Sequence, residues 1–345
     1  MTRCLNFQVA LDKMKNKNLI CTSIDDNYLW PWMVMVYSAS SNSEVKNFRV
    51  ILANLNGMLS EKYVAIAEKF MESLDLCLEI VSINTSINPT FEHHFNLTVY
   101  SRLFLMDKLD EDFTWFDADL LLMPGWDQIF AGSGEKVKKS AVISGALDSE
   151  ITRQRLSKEK NQAYVRTSGK YVNTGVIKIR TKEWKKLNKE INWQEMALNL
   201  AKYGLSLPDQ DILNYLCADK ISLLPSGFNY IVGDGISFQE QIFIKHYAGA
   251  PKPWKLDKKG KEFLLAVQGA KYFAPKNWIT QSSDAFLHYP MYWQVEDQLS
   301  SKLQDLGGDL YRTVIELRNR NLTKLSGASL LKHYLIQFTS QRFFS

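Results

Sequence analysis

The sequence predicts an α/β fold with a mostly parallel central sheet and helices on both of its faces. Up to Trp254, short β-prone runs alternate with segments whose apolar residues recur at helical spacing, the rhythm of strand-helix-strand units. Two of those runs stop abruptly in acidic clusters, at Asp25 and at Asp117. In open parallel sheets, ligands bind beyond the carboxyl ends of the strands, so these clusters are the first places to look for a site.

The elements follow in order. Leu19 to Ile24 is a first strand that enters the polar turn Asp25-Asp26-Asn27. The apolar stretch Trp30 to Tyr37 suits a buried helix, Phe48 to Leu52 a strand, Ser60 to Leu74 a helix and Leu78 to Ile83 a strand. Leu97, Tyr100, Phe104 and Leu105 recur at helical spacing and lead into a strand at Phe113 to Phe116, which runs straight into Asp117-Ala118-Asp119. Further strands are expected at Ala141 to Ile143 and Tyr171 to Ile179, followed by amphipathic helical segments from Thr181 to Tyr203. A helix then starts near Pro208, with Ile212, Leu213 and Leu216 on one face. Past Trp254 the rhythm fades into a Lys-rich and aromatic-rich region with helical stretches. The expected organisation is a main domain over 18–255 and a helical, basic and aromatic appendage over 256–345.

Composition narrows the function. With 46% hydrophobic and 23% charged residues, the 345-residue chain can bury a sizeable core. Its net charge of +5, from 42 basic and 37 acidic residues, is too evenly spread to mark a nucleic-acid partner. Cys4, Cys21, Cys77 and Cys217 show no CxxC spacing, which argues against a zinc site or a disulfide framework and fits a reducing cytosol. The N-terminal residues lack the apolar core of a signal peptide, and no apolar run reaches the roughly 18 residues of a membrane span. Cytoplasmic localisation is expected on these grounds. The sequons at Asn84, Asn96 and Asn321 then read as chance matches.

Three constellations could carry chemistry. Asp117-Ala118-Asp119 follows a strand, and in an extended chain residues two apart point to one side, so both carboxylates could hold one hard cation and its diphosphate. The plain alternative is an acidic turn. His246-Tyr247-Ala248-Gly249-Ala250-Pro251-Lys252 supplies an imidazole able to complete a manganese site, a glycine N–H for a phosphate and a lysine for a departing diphosphate. A core histidine before a proline turn explains the same residues. Pro208-Asp209-Gln210-Asp211 is what an ordinary helix N-terminus wants, yet it could also present Asp209 and Gln210 to a sugar. Asn173-Thr174-Gly175 inside a predicted strand weakens that strand unless a bulge or a ligand sits there.

Taken in order, these pieces resemble family-8 retaining glycosyltransferases, which include bacterial lipopolysaccharide galactosyl- and glucosyltransferases and glycogenin. The resemblance rests on Asp25-Asp26-Asn27-Tyr28, Tyr100-Ser101-Arg102-Leu103, Asp117-Ala118-Asp119, Val172-Asn173-Thr174-Gly175-Val176, Asp209 to Asn214, Phe228-Asn229-Tyr230 and His246 to Trp254. It covers about residues 18 to 255. By that likeness the fold is the GT-A type, a Rossmann-like nucleotide-diphospho-sugar transferase fold. Asp25, Asn27 and Tyr28 would hold uridine, and Asp117, Asp119 and His246 would ligate Mn²⁺, with Mg²⁺ the alternative ion. Arg102, Asn173, Asp209 and Gln210 would line the sugar, with Asp209 and Gln210 as the catalytic pair. Ala118 would sit against the donor, and Gly249 and Lys252 would grip its phosphates. The implied partners are a UDP-hexose donor, carrying galactose or glucose, and a glycan or glycolipid acceptor.

Thr174 departs from the small residue usual in this pattern, and the stretch Lys255 to Lys261 and the tail have no counterpart. In the tail, Leu330, Leu331, Tyr334 and Phe338 share a helical face near Lys332 and Arg342, which suits either an interfacial helix on the inner face of a membrane or a helix packed on the enzyme. A sugar nucleotidyltransferase would use the same metal-diphosphate geometry, but the turn Ser23 to Tyr28 lacks the glycines of its nucleotide loop. A nucleotide-sugar-binding protein would have no need of three metal ligands.

Overall fold

The computed structural model describes residues 18–43, 47–89, 96–131, 140–187, 192–233, 241–248, 252–256, 281–306 and 308–320. The central sheet has seven strands: β1 (Asn18–Ser23), β2 (Phe48–Leu55), β3 (Cys77–Ile83), β4 (Phe113–Phe116), β6 (Ile143–Leu147), β7 (Val172–Ile179) and β8 (Ile221–Leu223), with β5 (Leu120–Leu122) outside it. Their spatial order is β3-β2-β1-β4-β7-β6-β8. β1 pairs in parallel with β2 and β4, β2 with β3, and β6 with β8, while β7 runs antiparallel to both β4 and β6. The expected α/β architecture with a mostly parallel sheet is what forms.

Every residue from Leu19 to Thr22 is buried. Leu19 and Cys21 belong to a core shared with Leu103, Met106 and Trp184, while Ile20 and Thr22 point away from it on the period of two. Both faces of the sheet are therefore covered, as a parallel sheet requires. The helices Leu29–Ser41, Glu61–Ser73, Ser101–Lys108 and Pro208–Cys217 coincide with the expected helical stretches. Pro31 lies in the first turn of its helix, where its missing N–H costs nothing.

Two differences from the expected elements have local causes. The strand expected at Ala141 to Ile143 starts at Ile143 and continues through Gly145 to Leu147. Glycine reads as a strand breaker, but here it suits close packing: a Cβ on Gly145 would sit 3.0 Å from Ile177 Cγ2 and 3.3 Å from Val172 Cβ, a tight fit. Opposite it, β7 bulges. Gly145 pairs with Ile177 and Leu147 with Val172, so one residue of β6 faces four of β7, and those four include Asn173-Thr174-Gly175.

The short β5, β9 (Tyr230–Ile231) and β10 (Ile244–His246) form a second sheet in the order β5-β10-β9. Strands of two or three residues carry no periodicity and were not anticipated.

The chain divides into two compact units, Met1–Asn229 with Ile242–Ile244, and Tyr230–Gln241 with Lys245–Ser345. In the second, the helices Gln281–Leu306 and Gly308–Arg320 are joined by an ion pair, the buried Glu296 accepting from the half-buried Arg318 through Nε at 3.1 Å and Nη2 at 2.8 Å. Tyr247 packs edge-on against Tyr292 at 5.3 Å. No helix among the described residues is long and apolar enough to cross a membrane. The expected tail helix over Ser329 to Phe338 lies outside the described residues, as does most of the Lys-rich stretch.

Candidate active site

The strand order reverses at β1. From β1 the chain builds β2 and β3 to one side, then crosses to place β4 on the other, so the carboxyl ends of β1 and β4 flank a topological switch point. Asp25 follows β1 and Asp117 follows β4.

Asp117 continues the ladder with its backbone, its N–H donating to Gly175 O at 2.8 Å. Its Oδ1 accepts from Trp115 Nε1 at 2.7 Å and from Arg102 Nη2 at 2.8 Å. Ala118 and Asp119 lie in a turn rather than in an extended chain, so the two carboxylates are brought together by a bend and not by strand alternation. Ala118 and Asp119 are both buried.

Arg102 is the hub of the first unit's polar cluster. Buried on the helix Ser101–Lys108, it stacks its guanidinium 4.8 Å from the Trp115 ring centre, donates to Thr174 O, and pairs with Asp209 Oδ2 at 3.1 Å. Asp209 sits in the first turn of the helix Pro208–Cys217 and is itself buried. That burial pushes its carboxyl above the ordinary carboxylate range, against the opposing pull of Arg102.

Gln210 is held at both ends of its amide. Oε1 accepts from Thr174 N at 3.1 Å, while Nε2 donates to Asp148 Oδ2 at 2.7 Å and to Tyr171 Oη at 3.2 Å. Asn173 Oδ1 accepts from Gly175 N and from Asn229 Nδ2, both at 2.9 Å, and its Nδ2 reaches Asp148 Oδ1 at 3.4 Å. The bulge in β7 thus turns Asn173 and Thr174 toward the start of the Pro208–Cys217 helix. Arg102, Asn173, Asp209 and Gln210 are gathered in one polar cluster. Asp148, Tyr171 and Asn229 join it without having been singled out as site residues. Asp148 had a signal, since it is an acid at the carboxyl end of a strand; Tyr171 had none.

Asp25 is occupied locally. Its Oδ1 accepts from Asn27 N at 2.9 Å and Tyr28 N at 3.1 Å, and its Oδ2 from Asn96 Nδ2 at 2.9 Å, so it caps the short turn Asp26–Tyr28. Asn27 is exposed. The Tyr28 hydroxyl is raised well above its ordinary pKa, first by burial and then by the charges of Asp119, Asp25 and Asp117.

His246 ends β10 and is buried, its carbonyl accepting from Val232 N at 2.9 Å. Lys252 is also buried, with Nζ donating to Tyr247 O at 2.6 Å and lying 5.4 Å from the Trp254 ring centre. Gly249 lies outside the described residues. Asp117 and Asp119 belong to the first unit and His246 to the second. By type they are two carboxylates and an imidazole, a donor set that suits a divalent ion.

The sequence model of Glycosyl transferase family 8 matches residues 19–258. The chain belongs to this family. A lipopolysaccharide 1,2-glucosyltransferase of Escherichia coli is 23% identical over 270 residues, 71% of this family-8 chain and 75% of that protein. A Haemophilus influenzae relative is 34% identical over 110 residues, but this match spans only 28% of the chain and 32% of the relative. Among solved structures, the galactosyltransferase LgtC, in complex with donor and acceptor sugar analogs, superposes with a TM-score of 0.57 at 18% identity, covering 75% of this chain and 98% of that one. That likeness is one of fold, and the fold is the GT-A type.

Proposed function

We propose that this family-8 glycosyltransferase moves a hexose, galactose or glucose, from a UDP-sugar to a glycan or glycolipid acceptor with retention of anomeric configuration, using Mn²⁺ or Mg²⁺. The observation that supports this reading is the family-8 match over residues 19–258 together with the paired acids Asp117 and Asp119, which follow β4 at the switch point of the sheet. Breaking the anomeric C–O bond leaves charge on the diphosphate; Asp117, Asp119 and His246 would hold a divalent ion, which would supply Lewis-acid stabilisation for that charge. Lys252 adds a fixed positive charge on the same leaving group, and Gly249 an N–H.

The sugar side falls to the Arg102 cluster. As the hexose gains oxocarbenium character, the Asp209 carboxyl, raised by burial and opposed in this by Arg102 at 3.1 Å, offsets the positive charge in its ionised form. The Gln210 carbonyl lies next to it but is a weak nucleophile, so front-face departure and attack fit this chain better than a covalent intermediate on the amide. On the nucleotide side, Tyr28 stacks on the base, with Asp25 and Asn27 shaping the turn that presents it. Cys21, Cys77 and Cys217 are all free thiols, in keeping with work in a reducing cytosol.

A panel of UDP-, GDP- and CMP-sugars assayed for hydrolysis with and without Mn²⁺ tests donor, metal and enzyme status together. Slow release of UDP from one UDP-hexose, dependent on the metal and abolished by EDTA, is the expected result. Hydrolysis of GDP- or CMP-sugars instead, or turnover indifferent to EDTA, overturns the assignment.

A further inference from the structure

The Gln210 amide stands at the end of a buried hydrogen-bond chain whose polarity can be worked out from the acceptor-only end. Asp211 is fully buried. Its Oδ2 accepts from Asn161 Nδ2 at 2.7 Å, Ser206 N at 2.7 Å and Leu207 N at 2.8 Å, so that oxygen cannot change partners without unmaking the helix start. Its Oδ1 faces the Tyr171 hydroxyl, which is likewise buried. A carboxylate can only accept, so Tyr171 must donate its single proton to Asp211. The Tyr171 oxygen then has only lone pairs to offer Gln210, and the group it meets at 3.2 Å must be the amide NH₂. Asp148 Oδ2, a second acceptor 2.7 Å from the same nitrogen, makes the same demand. The other end of the amide, the carbonyl oxygen, is thereby turned to the Thr174 N–H and the bulge of β7.

We propose that Tyr171 is a positioning residue for the transfer reaction: Asp211, acting through the Tyr171 hydroxyl, fixes which end of the Gln210 amide faces the sugar. This rests on the placement of Gln210 against the sugar proposed above. Tyr171 and Asp211 are both fully buried, and act only by setting the sense of the chain.

Asp211→Asn reverses that sense with almost no change in shape. The three N–H donors on Oδ2 hold the new carbonyl in place, so the new NH₂ faces Tyr171 and donates to it. The Tyr171 proton must then point at Gln210, donor against donor. The amide either flips, setting its oxygen against the Asp148 carboxylate, or leaves its place.

The test is a double-mutant cycle on donor hydrolysis, with Asp211→Asn and Tyr171→Phe each made alone and in a Gln210→Ala background. Alone, Asp211→Asn is expected to lower kcat by roughly tenfold or more while leaving KM for the UDP-hexose within about twofold. In the Gln210→Ala background it is expected to change kcat by less than about twofold, because no amide is left to orient. Tyr171→Phe, which removes the chain and not its sense, is expected to lose activity in the wild-type background only. Thermal melting of each protein accompanies the assay. An unchanged kcat in a folded Asp211→Asn protein overturns the proposal, as does an equal loss with and without Gln210. If Asp211→Asn melts below the assay temperature, Tyr171→Phe decides by the same two comparisons. A wild-type protein inactive on every UDP-hexose would instead sink the proposed function, a different result from an active wild type indifferent to these changes.

Discussion

Arg102 and Asp209 show how a residue read as a sugar contact is first a problem of burial. An acid this deep is costly to ionise, and its carboxyl is raised above the ordinary value by desolvation despite Arg102 at 3.1 Å. A raised folded value means the folded chain holds the proton more tightly than the unfolded one. The resulting stability is present below the unfolded value of about 3.9 and is lost as pH rises through the folded value. Thermal melting followed as pH rises from about 4 is expected to show this falling component in the wild type, and Asp209→Asn is expected to remove it. An unchanged pH slope in the variant would place the effect elsewhere. The identities of Arg102, Asp209 and Gln210 were legible because a family pattern carries them. That Gln210 is tied at both ends was not, since its partners are Asp148 just after β6, Tyr171 just before β7 and Thr174 within β7, which meet it only after folding.

At the scale of elements, the site depends on a strand that is locally broken. Asn173-Thr174-Gly175 looked out of place in a strand, and the cause is a bulge that lets β7 keep its bonds to β4 while leaving β6. The oddity was legible in propensity; the bulge itself, which depends on how β6 and β7 pair, was not. Asn161 shows the same dependence on tertiary partners. It caps the helix Gln162–Arg166 through Ala163 N and Tyr164 N and also donates to Asp211. Asn161→Ala is expected to cost about 2–3 kcal/mol of stability in chemical denaturation, adding a lost cap to a lost buried partner. A cost under about 0.5 kcal/mol, the range of an ordinary surface change, would show the cap to be dispensable.

Over the whole molecule, the alternation of strands and helices in the sequence was enough to anticipate the parallel sheet, because long amphipathic elements declare their period. It could not reveal the strand order, and it is the order, with its reversal between β1 and β4, that marks out the ends of those strands as a site. The second sheet, three strands of two or three residues, was invisible for lack of length, yet it carries His246 on β10. The DxD pair was found by its position after β4, although the geometry first assumed for it, an extended chain, is replaced by a turn.

Titrating Mn²⁺ into the enzyme with UDP present, by calorimetry, tests most directly whether residues 117, 119 and 246 share one ion. A single site per chain is expected in the wild type, weakened at least about tenfold in Asp119→Asn and in His246→Ala, as loss of one ligand from a three-ligand set requires. Binding of undiminished strength in a folded His246→Ala protein would contradict a shared ion and, with it, the proposed chemistry.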